Sequence, residues 1–420
     1  MKEEYLHYLW KTKNIPLNNL SLTDGRPVSI ISFGIHNHNS GPDFSNGAIS
    51  VDGMTWIGNI EIHINSSDWY KHNHQSDPAY ENVILHVVYN HDKPLYINNE
   101  EIPTLELKNY IQLAQFEHYN KLLTNQKWIS CQEEIQTIEV IHLSSQIESA
   151  VIQRLERKTN LISSRFKALN FDLNQLIIEQ VASILGTKVN RLPMQELIQK
   201  IPLTIYWKEN KEMIEAIFLV VANLLPTNKN DSYIEILKKQ GEFYRVKYNL
   251  HQMNPASWKF FGTRTPGFPP FRIAQLAALL TNQKFFDFLN TSIEEWLNWF
   301  LNEEFSVNEY WNTHYHFGVK TKMHKAKISN NTKDLIIINV IVPIMYWWGI
   351  YQHNEIWTEK AFNLLEFIKP ENNEIMKKWK KLGLSLISAK DSQGLLELKN
   401  EFCIKKKCLT CKIGHQLFKQ

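Results

Sequence analysis

Ala48-Ile49-Ser50-Val51-Asp52-Gly53-Met54-Thr55-Trp56-Ile57-Gly58-Asn59-Ile60-Glu61-Ile62-His63-Ile64 decides the fold class of this chain. Asp-Gly between alternating apolar residues is a strong hairpin signal, because both turn positions need a positive φ. The stretch predicts a strand over Ala48–Val51, a two-residue turn, and a second strand over Thr55–Ile64. In the second strand Ile60, Ile62 and Ile64 face one way, and Glu61 and His63 the other. Working outward, Pro27–Phe33 is a further strand candidate. Val83–Tyr89 is almost wholly apolar, which places it centrally in the sheet. Leu105–Leu107 reads as a short edge strand, and residues 2–13 as a helix on the spacing of Tyr5, Leu6, Leu9 and Trp10.

Glycine divides the chain. Six of its 15 glycines lie between Gly25 and Gly58, and none follows until Gly186. From about residue 108 the apolar spacing turns helical, with Ile147, Val151, Leu155 and Ile162 on one stripe. Further helical patterns run near 174–185, 211–224, 231–247, 271–289, 334–350, 355–368 and 373–382. Pro266, Pro269 and Pro270 make Gly262–Phe271 a loop. The expected class is α+β: a mixed sheet with flanking helices over residues 1–110, then a mainly helical region over 111–420 that ends in a cysteine cluster.

Composition sets outer bounds. A hydrophobic fraction of 43% against 21% charged residues supports a sizeable core and excludes a disordered chain. Lys plus Arg is 46 and Asp plus Glu is 43, so total charge neither indicates nor excludes a nucleic-acid partner. Leu335–Tyr351 is apolar but contains Asn339 and Pro343, and it is shorter than the ~20 residues of a spanning helix. It reads as a buried core helix, with no membrane partner. The N-terminus lacks a long apolar stretch, so no secretory signal is read, and a cytoplasmic location is expected. Oligomeric state is not legible.

The chemistry concentrates in the front region, where seven of the sixteen histidines fall between His36 and His91. Asp43 precedes one strand of the hairpin and Glu61 lies within the other. Carboxylates so placed can converge on one divalent cation, and oxygen ligands suit Mg²⁺ or Mn²⁺. His63 can then orient water or stabilise developing charge. Ser67–His74 is a candidate rim. In one reading Trp69 and Tyr80 stack on bases while His38, His72 and His74 meet phosphate. In the other, Trp69 simply packs and pins the loop. His86, on the apolar strand, reads as a hydrogen-bonded core residue. Arg264 and Arg272 either clamp phosphate or else cap helices or pair with buried acids, and Arg154, Arg157 and Lys158 read as a solvated helix face. Cys403-x4-Cys408-x2-Cys411 has metal-type spacing, and Cys131 could complete a zinc site or an iron–sulfur cluster. The run Lys405-Lys406-Lys407 would favour thiolate in its neighbours.

Pro42-Asp43 followed by Glu61-Ile62-His63 resembles the PD-(D/E)XK nuclease superfamily, with His63 where lysine is usual. The resemblance implies a restriction-endonuclease-like mixed sheet and Mg²⁺- or Mn²⁺-dependent hydrolysis of DNA or RNA. It would give Glu4 the place of a helix glutamate found in that superfamily. An iron–sulfur branch of those nucleases is similar in one respect, a lone cysteine remote from a group of three. Over its whole length the chain resembles a bacterial family described as a domain of unknown function. Tyr5-Leu6-His7-Tyr8-Leu9-Trp10, Ser40-Gly41-Pro42-Asp43-Phe44, Ser67-Asp68-Trp69, Arg272-Ile273-Ala274-Gln275-Leu276-Ala277 and Cys408-x2-Cys411 carry that likeness. The expected function is a metal-dependent, nuclease-like phosphodiesterase. A non-catalytic nucleic-acid-binding scaffold and a His/carboxylate zinc or iron hydrolase of a small molecule stay open beside it.

Overall fold

The computed structural model describes every residue except His38, Asn228, Lys229, Asn230, Arg264, Lys419 and Gln420. The chain forms two compact units. The first comprises residues 1–143 and 401–420, and the second comprises residues 144–400. The boundary read near residue 110 therefore falls inside the first unit. The cysteine cluster, assigned by sequence order to the helical region, belongs to the first unit instead. Sequence order hides such a return because only long-range packing produces it.

The first unit opens with α1 (Glu3–Lys11), whose Tyr5, Leu6, Tyr8, Leu9 and Trp10 are buried. Its sheet contains β1 (Val28–Ser32), β2 (Ile35–His36), β3 (Phe44–Val51), β4 (Met54–Asn65), β5 (Val83–Asn90) and β6 (Thr104–Glu106). The order is β1-β3-β4-β5-β6, and β2 also pairs with β3. The β1–β3 and β3–β4 pairs are antiparallel. The β4–β5 and β5–β6 pairs are parallel. The sheet is mixed, as the sequence implies.

The hairpin closes as expected. Val51 pairs with Met54, and both Asp52 (φ 51°) and Gly53 (φ 77°) occupy the left-handed region that the turn demands. β5 lies inside the sheet and is buried from Val83 to Val88. Glu61 and His63 are buried too, so the second face of β4 is covered rather than solvated. The pairing of β3 with β4 slips by one residue between Phe44–Ile60 and Gly47–Gly58, where Asn46 has φ 56°. This is a β-bulge, and it re-aims the end of β3 that leads back to Asp43.

The second unit is built on helices. One core joins Val151, Leu155 and Ile162 to apolar residues from Leu176 through Leu365. The helix Leu173–Leu185 and those at Lys211–Val221, Ser232–Lys247, Glu355–Phe367 and Glu374–Lys381 follow the predicted patterns closely. Pro269 and Pro270 open the helix Pro269–Leu280 instead of lying in the loop before it. Proline suits the first turn because its missing N–H would have no intrahelical partner there. Asn330–Tyr351 is long and apolar enough to cross a membrane, but 67% of its most apolar window is buried inside the protein.

The strip Arg154, Arg157, Lys158 is only partly solvated, with Arg157 exposed and Arg154 and Lys158 half-buried. Arg154 and Arg157 both reach Glu397, and Arg154 also donates to Gln393. Lys158 donates to Asn339, and burial pushes its ammonium well below its ordinary pKa. Glu397 is 2% exposed, so a side chain more than two hundred residues away draws an apparent surface strip into a partly buried network.

The approach to Glu61 is sterically tight. A Cβ on Gly58 would lie 2.5 Å from both the Asn82 carbonyl oxygen and Ile84 Cγ2. Neither is a flexible chain end, since the Asn82 carbonyl also accepts from Asn59 N–H. Gly58→Ala is expected to cost about 1–3 kcal/mol through overpacking. The midpoint of urea denaturation measures this, and an unchanged midpoint would show that the β4–β5 edge yields freely.

A candidate histidine–carboxylate metal centre

The site is assembled around the end of β4. Backbone and side chain are cross-tied there: Asp43 N–H donates to Glu61 Oε2, and Ile62 N–H donates to Asp43 Oδ2, each at 3.0 Å. The bulge in β3 is what allows Asp43 to meet β4 in this way. The two carboxyl groups are neighbours, as sharing one site requires. Burial, then the Asp43 charge, pushes the Glu61 carboxyl up to about 9.

Two imidazoles, those of His63 and His74, adjoin Glu61, and His72 adjoins His63. The ligand atoms of His63, His72 and His74 all lie within 4.8 Å of one another. Glu61 Oε1 is 3.3 Å from His74 Nε2 and 3.6 Å from His63 Nε2. His63 Nε2 is 3.1 Å from His72 Nδ1, and His63 Nδ1 is 2.8 Å from His86 Nε2. When His63 Nε2 carries the free lone pair, its Nδ1–H donates to His86. That is the orientation a second partner gives to a ligating histidine. Burial and the neighbouring His72 and His74 hold His63 down at about 4, so its ring is neutral at pH 7. Burial also holds His74 below its ordinary value and His86 far below.

The chain after β4 explains how His72 and His74 arrive. Ser66 is fully buried and donates to Asp92 and to the Lys93 carbonyl, and the Ser67 backbone and hydroxyl also bind Asp92. This fixes the start of α2 (Asp68–Lys71). His72 N–H then donates to the Asp68 carbonyl, and Asn73 takes a left-handed φ of 62°. The turn at Asn73 brings His72 and His74 to the same ligand group. Trp69 is fully buried, with ring contacts to His74, His86 and Tyr80. Tyr80 stacks on His74 at 3.8 Å. Trp69 and Tyr80 thus hold the imidazoles in place, and the base-stacking role read for Trp69 is corrected by its burial.

Two residues on α1 join the site without having been singled out. His7 Nε2 lies 3.2 Å from Asp43 Oδ2 and 4.0 Å from Glu3 Oε1. Burial opposes charge on His7, but the Asp43 contact outweighs it and raises the imidazole above its ordinary value. Burial, partly offset by His7, raises Glu3 as well. The signal was the i, i+4 spacing of Glu3 and His7, which puts both on one helix face. Glu3, not Glu4, is the helix glutamate that faces the site.

The remaining sequence candidates divide. His38 and Arg264 lie outside the described residues. Arg272 belongs to the second unit, where it donates to Gln275 and burial holds it down at about 10. Cys131, Cys403, Cys408 and Cys411 line one small cavity of the first unit. Burial pushes the Cys408 thiol up despite the opposing pull of Ser130 and Lys406, so the lysine run does not make it a thiolate.

The donor set suits a metal with nitrogen affinity. Three imidazoles beside one carboxylate match zinc, iron or manganese better than the all-oxygen shell that Mg²⁺ prefers. Asp43 is the poorer ligand candidate, since its Oδ2 already accepts from Ile62 and contacts His7.

The fold and site define an α+β protein with a histidine–carboxylate centre on its mixed sheet. The chain belongs to the family described as "Protein of unknown function (DUF2851)", whose model matches residues 3–374. Neither a curated protein nor a solved structure matches it.

The electrostatics carry a stability consequence. With a folded pKa of about 9 against an ordinary 4.5, Glu61 is protonated in the folded protein where the unfolded chain is ionised. Between those values the folded state holds the extra proton, so its stability falls as pH rises. Glu61→Gln removes this term. Without added metal, the variant is expected to gain thermal stability over wild type as pH rises from 5 to 9. Parallel melting curves across that range would contradict the assignment.

Proposed function

We propose that this protein is a metal-dependent hydrolase of phosphodiesters, acting on DNA or RNA. The convergence of His63, His72 and His74 beside Glu61 carries the reading. Order along the chain supports the substrate class. A helix precedes the sheet, Pro42-Asp43 opens one strand, Glu61-Ile62-His63 lies on its antiparallel neighbour, and a parallel strand follows. That is the sequence of parts to which the resemblance to PD-(D/E)XK nucleases points.

A divalent cation bound here would act as a Lewis acid on a phosphoryl oxygen and acidify a coordinated water. His63, His72 and His74 would hold it, and His86 would orient the His63 ring. With a cation bound, its charge would ionise Glu61, which lies beside two of the three imidazoles and would take the proton of the attacking water. Asp43 fixes Glu61 through its backbone N–H and is the positioning residue. His7, whose imidazole the Asp43 contact favours in its charged form, would when protonated offer positive charge to a phosphate. Zinc, manganese or ferrous iron fits this donor set, and Mg²⁺ fits it less well.

The nitrogen-rich set also favours a second reading, a metal hydrolase of a small ester or phosphoester. One experiment separates the two. Full-length protein is supplied in turn with Mn²⁺, Zn²⁺, Fe²⁺ and Mg²⁺. It is then assayed on single- and double-stranded DNA, on RNA, and on bis(p-nitrophenyl) phosphate. Cleavage of the polymers is expected, with Mn²⁺ above Mg²⁺. His63→Ala is expected to abolish it, and Glu61→Gln to slow it about 100-fold or more. Turnover of the small diester alone would select the second reading. Equal rates for wild type and both variants would overturn the hydrolase.

A further inference from the structure

The first unit holds a second group of side chains with one chemistry. Cys131 follows α3 (Leu113–Thr124), while Cys403, Cys408 and Cys411 lie in or beside the returning segment 401–420. All four line one small cavity, with Leu122 and Phe402 among its apolar walls. They are all the cysteines of the chain, and none forms a disulfide. Buried structural thiols need not meet. Here the full complement does so, from two stretches more than two hundred residues apart.

The backbone is shaped to bring them there. Lys406 takes a left-handed φ of 52° between Cys403 and Cys408, and Lys407 N–H closes the turn onto the Phe402 carbonyl at 2.9 Å. The Lys406 ammonium reaches Ser130 Oγ at 3.0 Å and the Asn125 carbonyl. Asn125 in turn donates to the Ser130 carbonyl. The returning segment is therefore tied to the residue next to Cys131. Gly414 is required, since a Cβ there would lie 2.1 Å from the Cys408 carbonyl oxygen. Only glycine lets the helix Lys412–Leu417 pack so close beneath Cys408.

We infer that Cys131, Cys403, Cys408 and Cys411 ligate one thiophilic metal centre. Four cysteine thiolates suit either zinc or an iron–sulfur cluster. Each thiol releases its proton to solvent on ligation. Its physical effect is to staple residues 401–420 to the loop that follows α3.

The test uses full-length protein purified without oxygen and without added metal. Iron, acid-labile sulfide and zinc are measured, and the visible absorbance is recorded. A stoichiometric thiophilic metal is expected for wild type: zinc without sulfide marks a single ion, and matched iron and sulfide with a broad visible band mark a cluster. Cys131→Ser should lose that metal, while His63→Ala should keep it, which separates this centre from the histidine site. Absence of both metals would overturn the centre. If Cys131→Ser does not fold, wild type stripped by chelator is compared with untreated protein in limited proteolysis. New cleavage within 401–420 is expected, and unchanged resistance there would overturn the staple.

Discussion

Two backbone amides hold the candidate site in register. Asp43 donates its N–H to Glu61, and Asp43 in turn receives the N–H of Ile62. Neither bond belongs to the regular ladder. Each forms because a bulge in β3 swings the strand entrance towards β4. The reciprocal pair leaves both carboxylates in one place at fixed orientation. It also couples them electrically, since each now stands in the field of the other. The helix Glu3–Lys11 answers with His7 beside Asp43, and the turn at Asn73 answers with His74 beside Glu61 and His72 beside His63.

This arrangement is expensive in the absence of a cation. A buried carboxyl is held protonated, and at least three imidazoles are held neutral against their tendency to charge. Folding does not gain from any of these shifts. The proposed divalent ion is a ligand whose charge would release that cost. The surrounding ring contacts of Trp69 and Tyr80 then make sense as the frame that keeps unwilling groups together.

The sequence was most informative where structure is local. Asp52-Gly53 specified the hairpin because a two-residue turn needs positive φ at both positions, and the apolar run at Val83 specified an inner strand because both its faces are covered. The pairing of Asp43 with Glu61 and His63 was legible from order alone. The bulge was not read: it shifts the alternation, so that Phe44 shares a face with Gly47, Ile49 and Val51, but a glycine in that register carries no apolar side chain to show it. Glu3 and His7 were overlooked because their face of the helix looks like any polar face until a partner is known. Arg154 and Lys158 were misread for the same reason, as Glu397 and Asn339 lie far along the chain. The boundary near residue 110 missed the returning segment, which only tertiary contact reveals.

That returning segment also has a consequence in time. The helix Lys412–Leu417 and Phe418 complete the first unit, where Tyr8 and Tyr119 pack against the Phe418 ring. Residues 144–400 are translated before them. At roughly 5–20 residues per second, the aromatic surface of α1 and α3 waits on the order of tens of seconds for its cover. The helical unit has that interval to fold while the first is still incomplete. During each round of synthesis the nascent chain therefore presents a sticky, half-finished face, and a chaperone or crowded ribosome would meet the protein in that form first.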